Sequence, residues 1–170
     1  MPLILLSDID NTICDSKEQI DIIAKKYSLD DMGLWQKEHI AEFTKEAYIK
    51  SYDLITGAEI LPQLARTLGA KLIFLTGRSS AAREATEIWL KFKLGVFDTV
   101  PLIMREDGDM SGPVECKINM FKNTVLKMYP LGHFIFLDDD EKLLMEYAKY
   151  GLALRAPDCW RNIVFNLENK

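Results

Sequence analysis

Apolar residues in this chain form two kinds of pattern: short unbroken runs, and longer segments in which they recur every three or four positions. Most of the short runs lack the alternation of half-buried strands and are typical of strands buried on both faces, as in parallel sheets covered by helices. The predicted strands are Leu3–Leu6, Leu72–Leu75, Val100–Met104, Phe134–Leu137 and Leu152–Leu154.

The segments with helical periodicity lie between these runs and predict helices. A glycine or a proline closely follows three of them and marks where the helix stops. The predicted helices are Ala58–Leu68, Ala81–Phe92, Val114–Met128 and Glu141–Tyr150. This alternation of strands and helices predicts the α/β class, with a doubly wound, Rossmann-like parallel sheet.

One segment, residues 15–55, departs from the alternation because it contains no good strand and has helical periodicity. Its apolar residues fall on shared helical faces. They are Ile20, Ile23, Ala24 and Tyr27 on one face, and Trp35, Ile40, Phe43, Ala47 and Tyr48 on another. We predict a small insertion of two or three helices after the first strand. It would serve either as extra core or as a cap over a substrate site.

Polar side chains follow three of the predicted strands, at the edge where ligands bind to open α/β sheets. They are Asp8 and Asp10 after the first strand, Thr76 and Arg78 after the second, and Asp138 and Asp139 after the fourth. Between Thr76 and Arg78 lies Gly77, whose backbone can approach an anion closely. Crowded, buried carboxylates cost several kcal/mol unless a cation or a donor network compensates for them. The acidic pairs therefore indicate bound metal or catalytic chemistry. Asp140 is a candidate N-cap, and Lys117 lies beside the apolar stripe of its helix.

Four elements occur in order along residues 3–139: Asp-x-Asp-x-Thr after the first strand, Thr-Gly-Arg after the second, a lysine on a later helix, and Asp-Asp after a further strand. Together they resemble the haloacid dehalogenase superfamily of phosphohydrolases. A closer similarity, to the phosphatase domain of bacteriophage polynucleotide kinase and its relatives, covers roughly residues 70–160. It lies in Thr76–Arg78, Arg83–Thr86, Trp89–Leu90 and Leu102–Asp109.

The resemblance implies that Asp8 attacks phosphorus to form an aspartyl phosphate, and that Asp10 acts as general acid and then as general base. It also implies that Mg²⁺ binds to a carboxylate oxygen of Asp8, the backbone carbonyl of Asp10 and Asp138. Asp139 would orient a metal-bound water.

The same resemblance implies that Thr76, the amide of Gly77 and Lys117 neutralise the phosphate oxygens in the transition state. Two arginines, Arg78 and Arg105, are candidates for binding substrate and equally for bracing nearby acidic loops. Two features differ from the polynucleotide phosphatases. A proline stands four positions before the lysine, where those relatives usually carry an acidic residue, and the segment after the Asp-x-Asp motif lacks their arginine-bearing loop.

Length and composition change this picture little. With 170 residues, of which 48% are hydrophobic and 28% charged, the chain is predicted to form one domain over residues 1–170. The first apolar run is too short for a signal peptide, and no run approaches the ~20 residues of a membrane span, so we expect a cytoplasmic protein. The three cysteines lack metal-site or disulfide spacing and indicate reduced thiols.

The function predicted from these features is a Mg²⁺-dependent phosphatase for 3′-phosphate ends of nucleic acid or for nucleotides. An alternative is a phosphatase for an unrelated small phosphate ester, selected by the insertion. A non-catalytic phosphoacceptor domain ranks last, because it has no need of the acid–base group at Asp10. The net charge of −5 argues against broad binding along nucleic acid. We therefore expect a small phosphorylated partner or a strand end, no membrane and no obligate protein partner.

Overall fold

The computed structural model of the chain describes residues 1–29, 36–96 and 99–160. In these residues the strands are β1 Leu3–Ser7, β2 Cys14–Asp15, β3 Asp53–Leu54, β4 Lys71–Ser79, β5 Leu102–Arg105, β6 His133–Asp138 and β7 Gly151–Arg155. The α-helices are α1 Lys17–Tyr27, α2 Lys37–Phe43, α3 Glu46–Ser51, α4 Leu61–Thr67, α5 Arg83–Leu94, α6 Pro113–Met120, α7 Leu126–Met128 and α8 Glu141–Tyr147. No helix in the described part is long and apolar enough to cross a membrane.

Five strands form one sheet in the order β5-β4-β1-β6-β7, and every neighbouring pair is parallel. If these five strands are numbered along the chain, the order reads 3-2-1-4-5, as in Rossmann-like sheets. The central strand β1 pairs Leu5 with Leu72 on one side and with Ile135 on the other. The predicted doubly wound α/β fold is confirmed.

The sheet is buried on both faces, which explains its unbroken apolar runs. Along β1, Leu5 packs into one core cluster with Phe74 and Trp89, whereas Leu6 packs into a second cluster with Phe121. The second cluster is aromatic at its centre, where the ring of Phe121 meets several others edge to face. Successive residues therefore contribute to opposite cores, as the strand period requires.

Several predicted boundaries differ from the observed ones for local reasons. Strand β5 begins at Leu102 rather than Val100 because Pro101 has no N–H to donate to the sheet. Strand β4 continues beyond Leu75 to Ser79, and its register with β5 shifts between Thr76 and Ser79. The predicted helix over 114–128 runs from residue 113 to residue 128 and contains a π-helical turn, Phe121–Val125.

The expectation that residues 15–55 contain no strand is wrong at both ends of the segment. Strands β2 and β3 pair antiparallel, Cys14 with Leu54 and Asp15 with Asp53, and bring the two ends together. Two residues are too few to produce a periodic sequence pattern. Helices α1, α2 and α3 lie between these strands, while Trp35 lies outside the described residues.

The apolar faces of these three helices pack into the core cluster that contains Leu5 of β1. Ile23, Phe43, Ile49 and Tyr52 are buried members of that cluster. The segment thus extends the core on one face of the sheet. Ile20, Ile40 and Phe43 of the same segment also line a cavity. The two predicted roles of the insertion, extra core and a cap over a site, are therefore compatible.

Candidate active site

The loop after β1 is a compact turn that holds both of its carboxylates at the edge of the sheet. The Asp8 N–H donates to the carbonyl of Leu137 at 2.9 Å, so the backbone still follows β6 at this point. Asn11 has φ +54°, the left-handed conformation that asparagine tolerates. The indole N–H of Trp160 donates to the Thr12 carbonyl at 2.7 Å and supports the turn from outside.

Lys117 lies at the centre of a buried cluster of charges. Its ammonium nitrogen is 3.0 Å from Oδ2 of Asp8 and 2.9 Å from Oδ2 of Asp138. All three residues are less than a tenth exposed. The structure thus brings together three of the predicted site residues, from the end of β1, the middle of α6 and the end of β6. Burial disfavours the charged ammonium and so acts to lower the pKa of Lys117. The charges of the two carboxylates have the larger effect and raise this pKa.

The acidic side of this cluster fits a small divalent cation. One carboxylate oxygen each from Asp8, Asp138 and Asp139 lie within 4.8 Å of one another. Oδ1 of Asp8 is buried and has no hydrogen-bond partner among the described residues. Mg²⁺ prefers oxygen ligands such as carboxylates. This group offers three carboxylates, and one of their oxygens is buried without a partner in the described part of the protein. The side chain of Asp10 is not part of this group, and its predicted ligand atom was the backbone carbonyl.

The pKa values in the cluster reflect the crowding of negative charge. Burial raises the pKa of Asp8 well above its ordinary range; Lys117 opposes this, while Asp138 and Asp139 add to it. Burial and the charge of Asp138 together raise the pKa of Asp139 to about 6. One ammonium therefore does not compensate for three carboxylates, and a bound cation would remove the imbalance.

Asp10 pairs with Arg78 rather than with the lysine. Nε of Arg78 donates to Oδ2 of Asp10 at 2.9 Å, and Nη2 donates to Oδ1 at 2.7 Å. Burial would raise the pKa of the Asp10 carboxyl, but the charge and hydrogen bonds of Arg78 outweigh it and lower the pKa. Asp10 in this arrangement is a carboxylate that can accept a proton.

The side-chain contacts of Arg78 are with groups that the sequence did not suggest as its partners. The residue is buried, and its side-chain hydrogen bonds go to Asp10, Cys14 and Thr86 rather than to an acidic loop. The rings of Tyr52 and Trp89 lie 5.6 and 5.9 Å from its guanidinium carbon. Sequence reasoning missed this environment because Arg78 and Asp10 are 68 positions apart.

Arg105 does brace a loop and also faces the site. Its Nη1 donates to the backbone carbonyls of Asp109 and Ser111 at 3.3 and 2.9 Å, so the loop is held through its backbone rather than through carboxylates. Nε of Arg105 is buried without a hydrogen-bond partner among the described residues. The loop carboxylate of Asp107 instead accepts from the hydroxyl of Ser79 at 3.0 Å.

The two other predicted phosphate-binding residues lie at the end of β4. The Thr76 hydroxyl is fully buried, and its oxygen accepts from the Arg78 N–H at 3.2 Å. At Gly77 an added Cβ would come within 3.9 Å of Nη2 of Arg105 and 4.0 Å of Cε of Lys117. Both are ordinary contact distances, so a Cβ at this position would be tolerated. It would, however, fill space between two cations.

A cavity of about 320 Å³ opens over these residues. Its polar lining is Asp8, Asp10, Asn11, Gly77, Arg105, Ser111, Lys117, Asp139 and Asp140. An apolar wall, formed by Ile20 of α1 with Ile40 and Phe43 of α2, faces them. The sequence indicated that these three residues were apolar helix positions, but their position over the site emerges only from the fold. Asp140 lies at the rim and caps α8 through hydrogen bonds from Lys142 N and Leu143 N, as its position after β6 had suggested.

Several solved structures have the same architecture as this chain. A chain of a Pnkp1/Rnl/Hen1 complex matches with a TM-score of 0.63 and 19% identity over 92% of this chain and 46% of the other. A phosphoserine phosphatase, solved as an analogue of its phospho-aspartyl intermediate, matches with a TM-score of 0.55 and 16% identity, over 95% and 90% of the two chains. The fold is that of the haloacid dehalogenase-type phosphatases.

A haloacid dehalogenase-like hydrolase from Streptococcus pneumoniae is a further neighbour, with a TM-score of 0.55 and 14% identity over 91% of this chain and 84% of the other. The present chain spans less than half of the Pnkp1/Rnl/Hen1 chains that it matches. No family model and no curated protein sequence matches the chain. The resemblance predicted from sequence is therefore confirmed at the level of the fold.

Proposed function

We propose that this protein is a Mg²⁺-dependent phosphomonoester hydrolase that acts through an aspartyl phosphate on Asp8. The observation that carries the proposal is the buried cluster in which Lys117 contacts both Asp8 and Asp138, on the floor of a cavity in a phosphatase-type fold. Structural stabilisation alone does not account for it, because burying several charges is seldom favourable.

The reaction then has two displacements at phosphorus. Before the first displacement the Asp10 carboxylate takes up a proton from the bound phosphate monoanion or from solvent. The Asp8 carboxylate then forms a bond to phosphorus and the ester P–O bond breaks, while Asp10 gives this proton to the leaving alkoxide. In the second, water attacks the same phosphorus, its proton passes to the Asp10 carboxylate, and the bond between phosphorus and Asp8 breaks. Phosphate leaves, and both aspartates return to their starting forms.

Asp8, Asp138 and Asp139 would hold Mg²⁺, which would supply charge neutralisation for the phosphoryl oxygens and the carboxylates. Lys117 favours the ionised form of Asp8 against the effect of burial and orients its carboxylate, and its ammonium adds positive charge beside the phosphoryl group. The Gly77 amide and the Thr76 hydroxyl at the end of β4 are the proposed neutral donors. Arg105, with its unpartnered Nε, is the second cation beside this position.

For the substrate we propose a nucleotide or the 3′-phosphate end of a short nucleic-acid strand. The apolar wall of Ile20, Ile40 and Phe43 offers a surface for a base or another apolar leaving group. The similarity to chains of the Pnkp1/Rnl/Hen1 RNA repair complex supports the same class. Phosphoserine is the competing candidate, because phosphoserine phosphatases share the fold.

A direct test measures phosphate release with Mg²⁺ from a 3′-phosphorylated dinucleotide, a nucleoside 3′-monophosphate, phosphoserine and a sugar phosphate. The expected result is turnover of the first two, loss of turnover on chelation, and no turnover by Asp8→Asn. The matched control is Asp15→Asn, an exposed aspartate at the end of the same turn, which should keep full activity. Metal-independent turnover, or an active Asp8→Asn variant, would refute the mechanism, and preference for phosphoserine or the sugar phosphate would refute the substrate class.

A further inference from the structure

The partners of the Asp10 carboxylate are unequally divided between its two oxygens. Oδ1 accepts from Nη2 of Arg78 at 2.7 Å and from the thiol of Cys14 at 3.4 Å. Oδ2 accepts from Nε of Arg78 at 2.9 Å and from no other group in the described part of the chain. A carboxylate oxygen has two lone pairs, so Oδ1 is saturated and Oδ2 has one acceptor position left.

The groups that impose this division are themselves fixed in place. Cys14 is fully buried, and burial and the charge of Asp10 raise the pKa of its thiol, so it stays protonated and donates. Nη2 of Arg78 also donates to the Cys14 sulfur at 3.3 Å, which closes a triangle of hydrogen bonds with Oδ1. The aromatic rings of Tyr52 and Trp89 flank the guanidinium.

Arg78 is also committed to the protein rather than to a ligand. Its Nη1 donates to the hydroxyl of Thr86 at 3.4 Å, so each of its three nitrogens has a partner in the protein. Its side chain has no exposed surface, whereas that of Asp10 keeps 15%. Asp10 lines the cavity with Asp8, and Arg78 lies behind it.

We propose that Arg78 is the positioning residue of this site: it occupies Oδ1 of Asp10 together with Cys14 and leaves Oδ2 as the oxygen that gives and receives the catalytic proton. The inference rests on the proposed function, because it presumes that Asp10 is the acid and base. Arg78 touches no reacting atom. Its substitution should therefore reproduce the kinetic signature of losing Asp10 rather than that of losing a substrate contact.

The test compares Arg78→Lys and Arg78→Met with the parent on an alkyl phosphate and an aryl phosphate. Both variants should lower kcat on the alkyl ester by roughly 10²-fold and leave KM within about threefold, because proton transfer contributes about that much. The loss on the aryl ester should be at least about tenfold smaller, since its leaving group needs little protonation. Arg83→Met, which removes an exposed arginine paired with Glu87, is the matched control and should keep full activity.

A double-mutant cycle separates positioning from general damage to the fold. In an Asp10→Asn background, Arg78→Lys should cost less than about threefold more, because the oxygen that it orients is already lost. Equal losses on both esters, or multiplicative losses in the cycle, would overturn the assignment. If Arg78→Met does not fold, Arg78→Lys and Cys14→Ala decide by the same criteria, and Cys14→Ala should show a smaller loss confined to the alkyl ester.

The outcome is distinguishable from failure of the proposed function. If the parent chain hydrolyses neither ester with Mg²⁺, the phosphatase proposal itself fails. If the parent is active and the cycle is multiplicative, the phosphatase proposal stands and only the role of Arg78 is wrong.

Discussion

Lys117 and Asp138 are joined by a buried hydrogen bond of 2.9 Å, although they lie 21 positions apart on a helix and at the end of a strand. The same ammonium reaches Asp8, so one cation links the two strand ends that carry the acidic motifs. Neither side chain could be buried without the other at this depth. The pair therefore fixes where α6 crosses the end of the sheet, as well as the charge balance of the site.

Replacing this lysine should cost both stability and activity. Lys117→Met leaves Asp8 and Asp138 buried without a cation, so the free energy of unfolding without metal should fall by about 3 kcal/mol or more. Phosphatase activity should be lost. Denaturant unfolding measures the first effect, and Lys122→Met, an exposed lysine on the next helical turn, is the control. Unchanged stability in Lys117→Met would mean that the cluster is less buried or less charged than described.

Removing one carboxylate should act in the opposite direction on stability. Asp8→Asn keeps nearly the same volume and removes a charge whose pKa is raised by burial and by neighbouring aspartates. We expect a higher melting temperature without metal, no turnover, and a smaller stabilising effect of Mg²⁺. Scanning calorimetry with and without Mg²⁺ tests this. A clearly lower melting temperature in the metal-free variant would show that the Lys117 contact outweighs the crowding.

The sequence was sufficient to predict the sheet and the members of the site for identifiable reasons. Strands buried on both faces must be apolar throughout, so Leu3–Leu6 could be recognised as a strand from its own sequence, without knowledge of the strands beside it. Parallel strands place their ends at one edge, so the order of motifs predicted that Asp8 and Asp138 would be close. Lys117 stood out because it lay beside an apolar stripe.

The arrangement behind Asp10 could not be predicted in the same way. Strand β4 continues through Arg78 instead of ending before it, and this determines which way the arginine points. Its partners come from distant positions, with Tyr52 at the end of the inserted helices and Trp89 on α5. Helical periodicity places Trp89 in a predicted helix, but it contains no information about a guanidinium that packs against this ring and that of Tyr52.

Titration of Asp139 should make stability and metal binding depend on pH near 6. Its pKa is raised to about 6, so the folded state holds this proton more tightly than the unfolded state does. The associated stability is fully present below about pH 4 and is lost as pH rises through about 6. Between about pH 4 and about pH 7, the free energy of unfolding of the metal-free chain should fall by on the order of 2 kcal/mol relative to that of Asp139→Asn.

Mg²⁺ should offset this loss, because it binds the deprotonated carboxylates and so stabilises the chain more above about pH 6 than below about pH 5. Thermal unfolding of both chains across this pH range, with and without Mg²⁺, gives the comparison. Parallel pH profiles for the parent and Asp139→Asn would contradict the assignment of this titration to Asp139.

The last prediction concerns the length of the substrate. Arg105 and Lys117 are the cations that line the cavity in the described part of the chain, and Lys117 is already paired with two carboxylates. A second cavity of about 160 Å³ adjoins the first at Ile40 and Arg105, and its lining includes Glu106, Asp107 and Asp109. A strand continuing in that direction would meet negative charge.

Few phosphate contacts mean little counterion release, so KM for 3′-phosphorylated strands should vary little with length beyond about 2 to 4 nucleotides. The slope of log KM against log salt should correspond to roughly one or two phosphates. Glu106→Lys should steepen both dependences, because it replaces an exposed acid of the adjoining cavity with a cation. Glu87→Lys, an exposed charge reversal on α5, should leave them unchanged. Affinity in the parent that keeps rising with strand length, or a steep salt slope, would mean that the strand follows a basic path away from this cavity.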